Sequence, residues 1–359
     1  MLKWGSLLMA TPLLVAPLTS CATDTTGSTT PGGGGETAAS TVGKSRLDII
    51  KERGELICGV DGNIPGFSFV EESGEYSGLD VDICKAVAAA VLGDPEKVEY
   101  RNLDSTERFT ALSGGEVDML SRNTTWTLSR DTSAGLEFAP TTFYDGQGMM
   151  VRQDSGIATL KDLQGKAICV EAGTTTELNL TDNLRKAGVE AEIVTFQQAD
   201  PAYAAYAQDR CQGMTSDKSQ LIARRSTLPN SDQHILLDVT MSKEPLGPVT
   251  INNDSTWFDV VKWTTYGLIE AEELGITQGN VGQMAASDDP TVKRFLGGEG
   301  DLGEGLGLSN DFMVKAIEAV GNYGEIYERN LGETSIFKLP RGQNELWTKG
   351  GLMYAPPFR

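Results

Sequence analysis

One histidine, His234, serves the whole 359-residue chain, and none of its five cysteines stands in Cys-x-x-Cys spacing. These two shortages speak against a Cys/His zinc site. They also leave little for acid–base catalysis near neutral pH, which would need His234 or a retuned carboxylate such as Glu171 or Asp217. His234 falls in an expected strand just before Leu236, where a structural role suits it better than a ligand-facing one. Long apolar runs are missing too. The early stretch Leu7 to Leu18 is short and broken by Pro12 and Pro17, so it cannot span a bilayer. Basic side chains are scarce: 30 Lys and Arg against 50 Asp and Glu give a net charge of −20. A chain this acidic repels nucleic acid and anionic headgroups and suits neutral, zwitterionic or basic partners.

What the chain does have begins with an address. Lys3, the apolar stretch and the small residues Thr19 and Ser20 form a signal peptide over 1–20, cut just before Cys21. Leu18-Thr19-Ser20-Cys21 resembles a bacterial lipobox, in which the cysteine is lipid-modified and becomes the mature N-terminus. The expectation is an exported protein, periplasmic or at the cell surface, anchored to a membrane through Cys21. Ala22 to Gly43 is rich in Thr, Ser, Gly and Ala with almost nothing apolar to bury. Residues 21–43 therefore read as a disordered tether with a mean span of about 25 Å.

From Lys44 the texture alternates. Leu56 to Val60 reads as a buried strand, Leu79 to Leu92 as a helix stopped by Gly93, and Glu99 to Leu103 as a strand. Glu107 to Leu112 reads as a helix and Val117 to Leu120 as a strand. The pattern restarts with a strand at Ala167 to Val170, a helix at Thr175 to Ala187 and a strand at Glu192 to Phe196. A helix at Pro201 to Gln208 and a strand near Gln212 to Met214 complete it. Such alternation predicts an α/β fold of open, mainly parallel sheets with helices on both faces. Two similar lobes are implied, joined by extended segments at Gln147 to Val151 and Pro248 to Ile251. Two crossings make the second lobe, 149–248, an insertion into the first, 44–148 plus 249–359, which ends in a helical extension. The cleft between lobes is the expected ligand site. With Cys21 lipidated, Cys58 and Cys84 share lobe one while Cys169 and Cys211 share lobe two. Export favours a disulfide within each pair.

Ligands of open α/β sheets sit beyond the carboxyl ends of strands, and three loops there stand out. Ser121 to Arg130 is unusually polar and carries a guanidinium, Arg130, able to grip a carboxylate with two parallel hydrogen bonds. Gly173-Thr174-Thr175-Thr176-Glu177 offers a tight turn and free N–H groups at a helix start, which favour an anion. Met214-Thr215-Ser216-Asp217 presents a carboxylate able to hold an ammonium. Each alone also reads as an ordinary solvated or capping loop. Around one cleft they complement a zwitterion such as a free amino acid.

These motifs resemble the polar amino acid family of ABC-transporter substrate-binding proteins. Asp80-Val81-Asp82 after Gly78, Asp118 through Thr125 to Arg130, Gly173-Thr174 and Asp217 follow that family's order. Four longer runs resemble its general L-amino-acid binding subgroup: Asn123 to Asp131, Gly173 to Leu180, Gly321 to Asn330 and Gly350 to Pro357. The likeness covers about Leu47 to Arg359. It implies a type II periplasmic-binding-protein fold, a free L-amino acid as ligand, an ABC permease as membrane partner, a monomer, and no cofactor, metal or nucleic acid. By position, Arg130 would bind the α-carboxylate with help from the Thr125 hydroxyl and the N–H groups near Thr174 and Thr175. Asp217 would take the α-ammonium, and Asp61 would border the ligand side chain. Asn123 stands where many members have Gly. No aromatic obviously stacks on the ligand after the first strand, where Phe67 and Ile64 are the candidates. An enzyme of dehydratase type on the same fold, and an amino-acid sensor module, are the competing readings.

Overall fold

The computed structural model describes residues 44–359, so the signal segment, Cys21 and the tether lie outside the described residues. Lys44–Arg359 is one compact unit containing two five-stranded sheets. The first sheet has the order Val98–Asn102, Leu56–Val60, Met119–Leu120, Val249–Ile251, Leu136–Phe138. The second has the order Glu192–Phe196, Ala167–Glu171, Gly213–Asp217, Gln147–Arg152, His234–Leu236. Both follow one plan: three parallel strands, then a strand antiparallel to both its neighbours, then an edge strand. All but that one strand point the same way, giving mainly parallel sheets.

The odd strand in each sheet is the one that has just arrived from the other lobe. The crossing itself is a two-stranded antiparallel ribbon, Phe143–Asp145 paired with Glu244–Leu246. It lies a few residues ahead of the segments the sequence suggests, because Gln147 and Val249 already pair inside their sheets. The C-terminal extension braces this ribbon. The Asn344 side chain accepts from the Tyr144 N–H at 2.6 Å and donates to the Tyr144 carbonyl at 3.2 Å, while the Tyr323 hydroxyl donates to the Thr142 carbonyl at 2.6 Å.

Alternation along the second lobe's strands covers both faces of its sheet. Met149, Val151, Ile168 and Val170 face one way, onto Leu180 and Leu184 of the helix Thr175–Ala187. Met150, Cys169 and Met214 face the other, onto Tyr203 and Tyr206. In the first lobe the helix Leu79–Leu92 is apolar almost all round and is buried between the strand Leu56–Val60 and the C-terminal helices Ser255–Glu273 and Phe312–Val320. Its start demands glycine: at Gly78, φ is +124° and a Cβ would lie 2.2 Å from the Phe67 carbonyl oxygen. It ends at Gly93 in the left-handed conformation, whose N–H bonds back to the Ala89 carbonyl.

Both expected disulfides are present, Cys58–Cys84 between strand and helix in lobe one and Cys169–Cys211 in lobe two. Among the described residues no helix is long and apolar enough to cross a membrane, and no cluster of potential metal ligands occurs. The Cys169–Cys211 bridge closes a segment with a sequence separation of 42. Replacing both with alanine is expected to lower stability by about 2–4 kcal/mol, read as a shift of the urea midpoint. An unchanged midpoint would mean the bridge does not constrain the unfolded chain.

Candidate ligand-binding site

The carboxyl ends of both parallel sheets face a cleft, and the loop after Met119–Leu120 forms one wall. Asp80, in the first turn of the buried helix, anchors that loop: it accepts from the Ser121 hydroxyl at 3.2 Å and from the Asn123 N–H at 3.1 Å. Burial, only partly offset by those bonds and by Arg122, pushes the Asp80 carboxyl up to about 7. Asn123 adopts φ +40°, a left-handed conformation that asparagine tolerates better than most residues. The loop then zips against the crossing ribbon through Trp126 N–H to the Pro245 carbonyl, and Thr127 caps the short helix Leu128–Thr132 that carries Arg130. The Arg130 guanidinium donates to the Thr125 carbonyl at 2.9 Å and rests 5.2 Å from the Phe109 ring centre.

The facing wall is the start of Thr175–Ala187. Thr174 caps it, accepting from the Glu177 N–H at 3.1 Å and donating to the Glu171 carbonyl at 2.7 Å. The first-turn N–H groups have no carbonyl of their own helix to bond. Gly173, at φ +72°, lets the turn press against lobe one, where an added Cβ would sit 3.1 Å from Thr106 and 3.2 Å from the Ser105 carbonyl. The lobes touch at three further points: Thr125 and Thr175 hydroxyls 3.4 Å apart, Arg122 and Glu171 3.7 Å apart, and Arg224 donating to the Asn63 carbonyl at 3.0 Å.

Between these walls lies a narrow cavity. Arg130, Asp217, Thr125, Thr174, Thr175 and Asn123 all line it. Asp61 does not. It sits behind Arg122, which donates to it at 2.6 Å, and borders an adjoining cavity with Asn102, Asp104 and Glu107. Phe67 is fully buried in the lobe-one core, edge-on to Phe143 with ring centres 5.2 Å apart, and the apolar wall of the cavity is Ile64. Phe67 closes the turn between the strands Asn63–Ile64 and Ser68–Val70, its N–H bonded to the Ile64 carbonyl at 3.1 Å, and its ring points into the core and away from the cavity. His234 is also remote, its ring hydrogen-bonded to the Tyr206 hydroxyl and near the Pro229 carbonyl.

Asp217 ends its strand with one carboxylate oxygen, Oδ1, enclosed and without a partner. Burial and the neighbouring Asp145 and Glu244 carboxylates hold its carboxyl well above the usual range, opposed by Arg130 and Arg108. Asp145 and Glu244 stand directly opposite each other on the crossing ribbon. Burial pushes Asp145 up to about 6, against hydrogen bonds from Ser219 and Gly146. Glu244 accepts from the Thr175 hydroxyl at 2.8 Å and from the Asn179 amide at 3.0 Å. Three carboxyl groups thus lie near one another at this end of the cleft.

A signal in the sequence could also have exposed Arg108. It shares the buried face of its helix with Ala111 and Leu112, at i, i+3 and i+4, where a charged residue is out of place. It lines the same cavity.

The chain belongs to the bacterial extracellular solute-binding proteins, family 3, whose pattern matches residues 56–333. It is 51% identical over 323 residues to the general L-amino acid-binding periplasmic protein AapJ of Rhizobium johnstonii, covering 89% of this chain and 95% of that one. It is 49% identical over 316 residues to the glutamate/glutamine/aspartate/asparagine-binding protein BztA of Rhodobacter capsulatus, covering 88% and 94%. Among solved structures, a periplasmic binding protein of an ABC transporter from Brucella ovis, with glutathione bound, superposes with a TM-score of 0.86 at 49% identity, covering 88% of this chain and 100% of that one. These family members are named for binding and transport.

The raised Asp217 carboxyl predicts proton-linked binding of any ligand whose ammonium meets it. Empty, it retains its proton through and above the ordinary carboxylate range of about 4; an arriving ammonium favours the carboxylate, so binding expels that proton. Affinity for α-amino ligands is therefore expected to climb as pH rises above that range and to level off beyond the raised value. Calorimetry at mildly acidic pH in buffers of different ionisation enthalpy should register proton release, and Asp217→Asn should abolish it. Buffer-independent heats would contradict this account.

Proposed function

We propose that this protein captures free L-amino acids in the interlobe cleft and delivers them to an ABC permease. The observation that carries the reading is the pair Arg130 and Asp217, a guanidinium and a carboxyl from different lobes lining one cavity, with a helix start beside the guanidinium. Arg130 and the first-turn N–H groups of Thr175–Ala187 take the α-carboxylate, with the Thr125 hydroxyl alongside. Asp217 takes the ammonium. Because the two groups come from different lobes, a bound amino acid draws the lobes together, and the closed form is the one the permease receives. The names of the relatives support this reading, and so does the absence of His234 from the cavity wall, which removes the usual acid–base group. Asp61, screened by Arg122, acts on side chains that reach past the amino-acid end of the cavity. The protein acts as a monomer held near its permease by a lipid on Cys21, with 21–43 as tether.

Calorimetry of the mature protein against a panel of L-amino acids tests the reading directly; no binding by any of them would overturn it. Arg130→Ala is expected to weaken all of them by more than about 100-fold, since it leaves a ligand carboxylate buried without its partner. Cys21→Ala is expected to release the protein from the membrane fraction while leaving amino-acid affinity unchanged. A fall in affinity would make the tether part of the binding unit.

A further inference from the structure

We propose that Arg224 latches the closed cleft: its guanidinium, fixed on lobe two, holds the Asn63 carbonyl of lobe one and so slows release of whatever amino acid is bound. The proposal rests on capture of amino acids between the lobes. Of the polar contacts across the seam, Thr125–Thr175 at 3.4 Å and Arg122–Glu171 at 3.7 Å join residues that line the amino-acid cavity. Arg224 to Asn63 is shorter, 3.0 Å, and neither residue lines that cavity. This contact therefore acts on the lobes and not on the ligand.

Lobe two prepares the guanidinium in advance. Arg224 also donates to Asp200, and its guanidinium carbon lies 4.9 Å from the centre of the Tyr203 ring, both partners belonging to the helix Ala199–Ala207. They hold a planar, always-charged fork in one orientation, so little side-chain freedom is lost when lobe one arrives. The residue is only 8% exposed, and its Nε is enclosed without a partner among the described residues. The Asp200 side chain, by contrast, is 59% exposed. An arginine serving Asp200 alone would follow it out to water.

Both ends of the latch lead to the amino-acid cavity. Asp217 is the N-cap residue of the helix Lys218–Arg225, and Arg224 stands seven residues on, two turns along the same face. Across the seam, Asn63 precedes Ile64, the apolar wall of the cavity, and the Asn63 N–H donates to Asp61 at 3.2 Å. Closure at Asp217 thus brings Arg224 onto Asn63, and the contact in turn keeps Ile64 against the ligand. The open form, which meets the ligand, lacks the contact, and the closed form must break it to let the ligand leave. Arg224 is a positioning residue whose effect falls on dissociation, equally for every ligand.

Stopped-flow fluorescence on the wild-type protein and on Arg224→Ala, with each L-amino acid that binds, separates association from dissociation. Arg224→Ala should speed dissociation by on the order of 10-fold, the same factor for every ligand. The association rate should stay within about twofold. Arg224→Lys keeps the charge, loses the fork and should fall between. Unchanged dissociation in Arg224→Ala would overturn the proposal. Losses that differ from ligand to ligand would also overturn it, because they would make Arg224 a ligand contact. Should that variant fail to fold, nitrogen NMR of the wild-type guanidinium decides. Bound ligand should slow solvent exchange of the Arg224 Nη protons, and exchange unaltered by ligand would refute the latch. Absence of any amino-acid binding in the wild type would instead bring down the function on which the proposal rests.

Discussion

Two lobes meet on surfaces whose charges the protein does not itself neutralise. Asp217 has an enclosed carboxylate oxygen without a partner, and Arg108 has a buried guanidinium without one. Buried charge costs several kcal/mol per ion unless it is paired, so a cavity built this way is least favourable when empty. A ligand that brings an ammonium to one side and a carboxylate to the other removes that penalty at both. In the proposed reading the same residues supply affinity and select for opposite charges on one small molecule, and their placement on both lobes ties occupancy to the approach of the lobes.

That connection runs through the crossing ribbon. Asp145 and Glu244 face each other across it, like charges in directly opposed positions, which weakens strand pairing. Both lie close enough to Asp217 to raise its carboxyl. Glu244 also receives the hydroxyl of Thr175, which stands opposite Thr125 of lobe one. The ribbon is thus in electrical contact with the site it supports. Asn344 and Tyr323 of the C-terminal extension tie Tyr144 of the ribbon and Thr142 just ahead of it to lobe one.

Much of the fold was legible because each lobe alternates short apolar strands with helices bounded by glycine. The helices Leu79–Leu92 and Thr175–Ala187 and the strand Glu192–Phe196 match their expected limits residue for residue. The crossing was less legible, because Gln147 to Val151 and Pro248 to Ile251 read as extended and nothing local says that they already pair inside a sheet. Within the site, Arg130, Asp217, Thr125, Thr174, Thr175 and Asn123 were nominated from loop positions and family likeness, and all line one cavity. Phe67 was nominated for its ring, but it sits in a tight turn that buries the ring in the lobe-one core, and the sequence does not say which way a turn residue points. Arg108 was passed over because a lone arginine at the start of a short helix looks like surface.

The sequence by itself determined the compartment, the lobe plan and the disulfide partners, because these follow from local patterns: an apolar leader with a cysteine at its end, strand and helix periods, and cysteines sorted by lobe. Tertiary structure alone decided which charges go unpaired. Arg122 and Arg108 are both arginines close to the cleft, yet one is paired with Asp61 and the other has its Nε enclosed without a partner. The difference comes from groups far apart in the chain converging within a few ångströms, and no local pattern encodes that distance.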